Sequence, residues 1–267
     1  MSIYFLIIGF PAWNSILNHV FERIINFFIN IMNVESKTET DFLVRLGNNE
    51  IDFIDAGCGT GGSIDFCRKV FGLANGIGFD LNEKKIIEAK AKGYSVFFQD
   101  ILKINFPGKC VIFSSMMDFL EHLPNINSAR EMIKVLGKAS RDFLFIRHPN
   151  FDDMDYLRGL NLKLTWTDWS GHSNMMKISD YIIIFNELGW NNYRIIPKKL
   201  IKNSGHEAVL PLNAPKNLNK FSQLEGSVKP SLEFDKPVYS QYDIFVKLNN
   251  RISTEQWDLI TSKTSQF

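Results

Sequence analysis

Residues 53–66 read FIDAGCGTGGSIDF, with glycine at 57, 59, 61 and 62. Glycine loses more backbone freedom on folding than any other residue, so four in one turn must serve a conformation or a close approach that side chains would forbid. The apolar run IDFID leads into the turn, and a helical pattern at about 62–72 follows it. A strand that turns tightly into a helix aims the helix's first amides at whatever approaches the turn.

The same alternation continues along the chain. GIGFD (76–80), YSVFFQD (94–100), KCVIFSS (109–115) and RDFLFIRH (141–148) read as strands; NEKKIIEAKAKG and SAREMIKVLGKAS read as helices between them. Strands alternating with helices imply right-handed crossovers and a doubly wound, mostly parallel sheet. SDYIIIFNELGW reads as a further helix with Ser179 as N-cap, NNYRIIPKKL as a sixth strand and YDIFVKL (242–248) as a seventh. Residues 149–177 and about 202–238 interrupt this rhythm as polar insertions.

Thirty Lys and Arg against 29 Asp and Glu leave a formal net charge of +1, without the basic excess of a nucleic-acid footprint. Three cysteines, Cys58, Cys67 and Cys110, form no C-x-x-C pair, which favours a reducing, cytoplasmic setting over a disulfide framework. MSIYFLIIGF is apolar, but Pro11 and the polar residues after it cut the run short of the about 20 residues a membrane span needs. Trp13, Ile16, Leu17, Val20, Phe21, Ile24, Phe28 and Ile31 recur at helical spacing, so residues 1–40 are expected to carry an amphipathic helix or cap, with peripheral membrane contact as the second reading. The motifs begin only after Met32, which makes Met32 a second candidate start.

Asp55-Ala-Gly57-Cys-Gly59-Thr-Gly61-Gly62 resembles motif I of the class I S-adenosylmethionine (SAM)-dependent methyltransferases. The resemblance covers about residues 50–190. It implies a Rossmann-like methyltransferase fold over 41–267: an α/β, doubly wound, seven-stranded, mostly parallel sheet with acceptor-side insertions. It also implies that Asp55 orders the loop, that Gly57, Gly59 and Gly61 let it pass under the cofactor, and that Asp80, with Leu81 beside it, meets the ribose. Asp100 and Ile101 would meet adenine, and Ser114 or Ser115 would lie near the cofactor. Each acid alone reads as a helix cap or turn residue. Three of them at consecutive strand ends behind a glycine turn read as a ligand crevice. Gly57, Gly59 and Gly62 also satisfy the G-x-G-x-x-G spacing of nicotinamide enzymes, and the strand-end acids separate the two readings.

SSMMDFLEHLPN places Asp118, Glu121 and His122 at i, i+3, i+4, one face of a helical turn. Two carboxylates and an imidazole suit Mg²⁺ or Mn²⁺, and also iron or zinc. The pattern is similar to the E-x-x-E-H signature of two metal-dependent methyltransferase groups, one acting on catechol precursors of ubiquinone and one on the 3′ ends of small RNAs. That similarity implies a further ligand in the position of His172, in SGHSNMMKISDY. Asp118 is shorter than glutamate by one methylene, and small hard cations tolerate little misplacement. LEHLP also occurs in class I methyltransferases without metal, where His122 or His172 would be the general base, with Asp118 a further catalytic candidate. His148 competes with His172 as fourth ligand, and reads equally as a strand-end residue bonded to a neighbouring loop.

RHPNFDDMDYL…TWTDWSGHSN resembles a stretch of bacterial methyltransferases of surface-glycan pathways. It implies a small polar acceptor: a sugar, a nucleotide-linked sugar, or a phosphate or phosphoramidate group. Trp166 and Trp169 read as core anchors or as a stacking face. Arg147 and Arg158 are candidate anion contacts, and His206 and Lys229 candidates for a segment closing over the site. An RNA methyltransferase and a catalytically inactive SAM-binding partner protein are the competing functions. Near-neutral charge counts against the first, and the Asp118, Glu121, His122, His172 set against the second.

Overall fold

The computed structural model describes residues 42–226 and 228–266. The chain divides into two units between Asn48 and Asn49. In the first, residues 42–47 are helical. The helix expected over residues 1–40, its membrane contact and the candidate start at Met32 lie outside the described residues. Among the described residues no helix is long and apolar enough to cross a membrane.

The second unit runs β1 (Phe53–Ala56), α1 (Gly62–Phe71), β2 (Gly76–Asp80), α2 (Glu83–Ala91), β3 (Val96–Phe98), β4 (Val111–Met117), α3 (Ile126–Ala139) and β5 (Ser140–Pro149). It continues with α4 (Met154–Gly159), β6 (Leu162–Leu164), α5 (Ile178–Glu187), β7 (Tyr193–Asn203), β8 (Val209–Pro211), β9 (Glu233–Lys247) and α6 (Thr254–Ser262). Seven strands form one sheet in the order β3-β2-β1-β4-β5-β9-β7. β1 to β5 are parallel, and β9 runs antiparallel to both its neighbours. The order turns back between β1 and β4, so a crevice opens beyond their carboxyl ends, where doubly wound sheets take ligands.

Phenylalanines fix the register of the central strands. Phe53, Phe113 and Phe143 face one another across β1, β4 and β5. Their rings stack at centroid distances of 5.0 and 4.8 Å. Phe71 of α1 sets its edge against Phe113 at 4.9 Å and Phe143 at 5.5 Å. Burying each such side chain contributes about 1.5–3 kcal/mol, and each aromatic pair about 0.5–1.5 kcal/mol more. A one-residue slip would move all three rings to the other face, so this ladder holds the strand ends level.

The insertions depart from the sequence reading. Rather than two separate loops, residues 149–177 and 202–238 join: β6 pairs with β8 in an antiparallel ribbon. Leu157, Leu162, Leu164, Ile201, Val209 and Val238 bury a second small core beneath it. β9 begins at Glu233 rather than Tyr242, because its amino-terminal half pairs with the end of β7 instead of looping. The first turn of α5 starts one residue before Ser179. Asp180 accepts from the Lys177 N–H at 2.7 Å and Asp152 from the Ile178 N–H at 3.2 Å, and two carboxylates satisfy open helix amides better than one hydroxyl. Cys58, Cys67 and Cys110 are buried and unpaired.

Candidate active site

The glycine turn is held from below. Gly57 and Cys58 donate to the Phe79 carbonyl at 2.8 and 3.1 Å, and Gly61 donates to the Cys58 carbonyl at 2.9 Å. Gly57, Gly59 and Gly61 all have positive φ, at 71°, 53° and 95°. A Cβ on Gly57 would lie 2.2 Å from Phe119 Cδ2, and one on Gly61 would lie 2.4 Å from Tyr94. Both the backbone conformation and the neighbouring rings therefore require glycine here.

Asp55 anchors this turn from within. It is fully buried. It accepts a short hydrogen bond from Ser63 Oγ and another from Ser115 Oγ at 2.6 Å. Burial pushes its carboxyl up to about 7 against the pull of the two serines, with a smaller upward push from Asp80. Asp80, at the tip of β2, accepts from the Gly59 N–H at 2.8 Å and from the Asn82 N–H at 2.8 Å. A carboxylate has about four acceptor positions, so two remain for a ligand. Asp100 caps the 3₁₀ turn at Ile101–Lys103, accepting from the Leu102 N–H at 3.1 Å.

These residues border a cavity of about 530 Å³, within the usual range for a small-molecule site. Gly57, Asp80, Leu81, Asp100 and Ile101 line one wall. Asp118, Phe119 and His122 line it as well, as do Ser128 and Met132 of α3. Asp55, Gly59 and Gly61 support the wall without lining it. Ser114 lies elsewhere. Its side chain alternates to the opposite face of β4 from Ser115, where its buried hydroxyl accepts from Ser140 at 2.8 Å.

The expected i, i+3, i+4 face does not form. After β4 the chain takes a left-handed step at Asp118 (φ 48°) and then a 3₁₀ turn at Leu120–His122, so Asp118 does not stack over the other two. Glu121, His122 and His172 do converge, with ligand atoms all within 4.8 Å of one another. The two imidazole centroids are 4.9 Å apart. Asn174 ties the His172 loop to this turn, donating from its backbone to the Glu121 carbonyl and from its side chain to the Leu120 carbonyl, each at 3.0 Å. Burial pushes the Glu121 carboxyl up to about 8 and the His148 imidazole down to about 3, and it lowers that of His172. Asp118 is raised by burial, against the pull of Arg147, Lys199 and His122.

Several acceptor-side expectations are corrected. Arg147 is committed to Asp243 through two buried hydrogen bonds of 2.7 and 2.9 Å, and Arg158 pairs with Asp155 at 3.2 Å. Trp166 is an anchor, donating to the Asn150 carbonyl at 2.8 Å. Lys229 donates to the carbonyls of His206 and Val209, so it braces its own insertion; among the described residues, none of 202–238 lines the cavity. Phe119, Ser63 and Asn174 have no signal in the sequence, and of the two serines expected near the cofactor it is Ser115 that meets Asp55. The strand pairing decides between them, since it sets Ser115 in register with Asp55.

Among solved structures, a SAM-dependent methyltransferase from Archaeoglobus fulgidus is similar to this chain with a TM-score of 0.53 and 18% identity, over 81% of this chain and 98% of that one. A SAM-dependent methyltransferase from Methanosarcina mazei matches at a TM-score of 0.45 and 11% identity, over 73% and 91% of the two chains. Magnesium protoporphyrin IX methyltransferase from Synechocystis PCC 6803, with bound SAM, matches at 0.41 and 18% over 79% and 78%. No protein-family model matches the sequence, and no curated protein matches it significantly. The sheet order and the first of these likenesses define the fold as the Rossmann-like methyltransferase fold.

Proposed function

We propose that the protein is a SAM-dependent methyltransferase that O-methylates a small polar acceptor, a sugar, nucleotide-sugar or phosphate-bearing precursor of a surface polysaccharide. One observation carries the reading: the cavity that runs from Gly57, Asp80 and Asp100 ends on Asp118 and His122, with Glu121 and His172 gathered behind. Asp80 and Asp100 would accept from the ribose and adenine, with Leu81 and Ile101 as apolar contacts.

The cofactor, when bound, supplies a methyl group already activated on a sulfonium. Transfer forms the acceptor O–CH₃ bond, breaks S–CH₃, leaves a neutral thioether and releases the hydroxyl proton. Asp118 is the base assigned to that proton. It lies on the cavity wall, and burial raises its pKa, which makes it a stronger base. Glu121, His122 and His172 would hold a divalent cation. Such an ion lowers the pKa of a nearby hydroxyl and orients its oxygen. Without an ion, His122 or His172 takes the base role.

With the Arg147 guanidinium committed to Asp243, it is not assigned to the acceptor. RNA methylation is the second reading, favoured by the carboxylate and histidine cluster. The test is cofactor turnover against sugar nucleotides, phosphorylated glycan precursors, catechols and short RNAs. Product from a saccharide class supports the reading, and product from RNA alone replaces it. Cofactor binding without turnover on any class leaves the binding-protein function.

A further inference from the structure

β7 pairs with β9 in one register from Tyr193 to Ile201. Inside that run Lys199 takes φ 56°. The left-handed conformation costs a lysine about 1–2 kcal/mol. Its neighbours stay in the ladder, Lys198 opposite Gln241 and Leu200 opposite Tyr239. Ser240 holds the step, its hydroxyl donating to the Lys199 carbonyl at 3.1 Å. Residues kept in such conformations by their surroundings cluster at functional sites.

The corner around this step is rich in donors and short of acceptors. Arg147 and Lys198 are 7% and 8% exposed and share the fully buried carboxylate of Asp243. Arg147 binds it through two hydrogen bonds. The Lys198 ammonium donates to the Thr264 carbonyl; burial lowers its pKa and Asp243 holds it up. Lys199 is exposed and adds a third positive charge. Among the described residues its side chain makes one hydrogen bond, to Gln241 Oε1 at 3.4 Å, a long bond to a neutral group. The other end of that amide, Gln241 Nε2, is buried without an acceptor. A donor left buried and unpaired costs about 1–3 kcal/mol. Three cations and an orphaned amide around one carboxylate describe a place for an anion.

This corner adjoins the base assigned to the acceptor. Gln241 pairs with Pro149 at the carboxyl end of β5, and two residues earlier on that strand the Arg147 carbonyl accepts from the Asp118 N–H. Burial raises the Asp118 carboxyl, and Lys199 is near enough to pull against that rise, second to Arg147. We propose that Lys199 binds an anionic oxygen group, phosphate or carboxylate, carried by the methyl acceptor whose hydroxyl meets Asp118. The inference rests on the acceptor reading above and gives that acceptor a charge. It moves to Lys199 the anion contact expected of Arg147. A lysine on a flexible stem suits the task, since it can exchange a weak amide partner for a charged one.

The experiment titrates the protein by calorimetry at low ionic strength with inorganic phosphate and, separately, with acetate. Each titration is run with and without saturating S-adenosylhomocysteine. Wild type is compared with Lys199→Met, Lys199→Arg and Lys202→Met, Lys202 being an exposed lysine three residues further on. The thermal midpoint of each variant reports its fold. One anion per chain is expected in wild type, and the tighter of the two names the group on the acceptor. Lys199→Met should weaken it by about 10-fold or more, the factor that a charge-assisted bond supplies. Lys199→Arg keeps the charge and should stay within about threefold. Lys202→Met removes only a screened surface charge and should stay within about twofold. Folded Lys199→Met binding like wild type, an equal loss in Lys202→Met, or wild type that binds neither anion would overturn the inference. S-adenosylhomocysteine binding without an anion site leaves the methyltransferase reading standing. An anion site lost in Lys199→Met, in a protein that binds no S-adenosylhomocysteine, keeps the site and removes that reading.

Discussion

Asp80 Oδ2 accepts from the Gly59 N–H at 2.8 Å, across 21 residues of chain. The acid at the tip of β2 therefore shapes the glycine turn as well as lining the crevice. Replacing it removes a charge-assisted bond to the loop and, on the proposed function, the acceptor positions for the cofactor's ribose. Such bonds contribute about 1.5–3 kcal/mol each. Asp80→Ala is expected to weaken S-adenosylhomocysteine binding by about 10–100-fold, measured by calorimetry. Wild-type affinity in a folded variant would remove Asp80 from the cofactor site.

Gly57 and Phe119 form a second coupled pair. A methyl group on Gly57 meets the Phe119 ring at 2.2 Å and forces a non-glycine residue to φ 71°. The left-handed conformation alone costs about 1–2 kcal/mol. Gly57→Ala should therefore lower stability to denaturant by more than that. The double variant Gly57→Ala/Phe119→Ala should lose less than the sum of the two single changes, because the ring clash is gone and only the Cβ of residue 119, at 2.9 Å, remains close. Additive losses would show that the ring does not press on this position.

Strand ends were legible in the sequence because glycine and the acids that close β1, β2 and β3 mark them in one dimension. The metal-type cluster was only half legible. Glu121 and His122 converge with His172, the further histidine that the family resemblance implied, but Asp118 does not join them. Helical spacing assumes that a helix continues, and the left-handed step at Asp118 is set by its N–H donating to the Arg147 carbonyl at 3.0 Å, a contact 29 residues away. His148 looked like a strand-end residue and is one, with its Nδ1 on a neighbouring carbonyl. What faces its other nitrogen depends on packing between β5 and the 120–122 turn. Likewise no local pattern in 149–177 or 202–238 announces that two short apolar runs, Leu162–Leu164 and Val209–Pro211, will pair.

The Asp55 carboxyl makes stability depend on pH in a direction opposite to that of a salt-bridged acid. Its folded pKa is raised to about 7 from 3.8, chiefly by burial. Between those values the folded state holds the proton while the unfolded state has released it, so stability falls as pH rises through the window. One such group contributes at most about 1.4 kcal/mol per pH unit. Asp55→Asn keeps an acceptor for Ser63 and Ser115 and cannot titrate. The stability of wild type minus that of Asp55→Asn, from urea unfolding at pH 4.5 to 7.5, should decline steadily as pH rises. A flat difference would mean that the carboxyl is ionised in the fold.

Arg147 and Asp243 join β5 to β9 through a two-point ion pair that is nearly or fully buried at both ends. The guanidinium also lies 4.3 Å from the Phe66 ring centroid. Removing one partner strands the other charge in a low-dielectric interior and costs about 3–5 kcal/mol, whereas replacing both with apolar groups is often neutral. Arg147→Met and Asp243→Leu should each lower the unfolding midpoint strongly, and the double variant should recover most of the loss. Because Arg147 Nε and Nη2 are both taken by Asp243, acceptor KM in the folded double variant should stay within about threefold of wild type. A large rise in KM with the midpoint restored would return Arg147 to the acceptor site, since only a contact with substrate separates the two readouts in that direction.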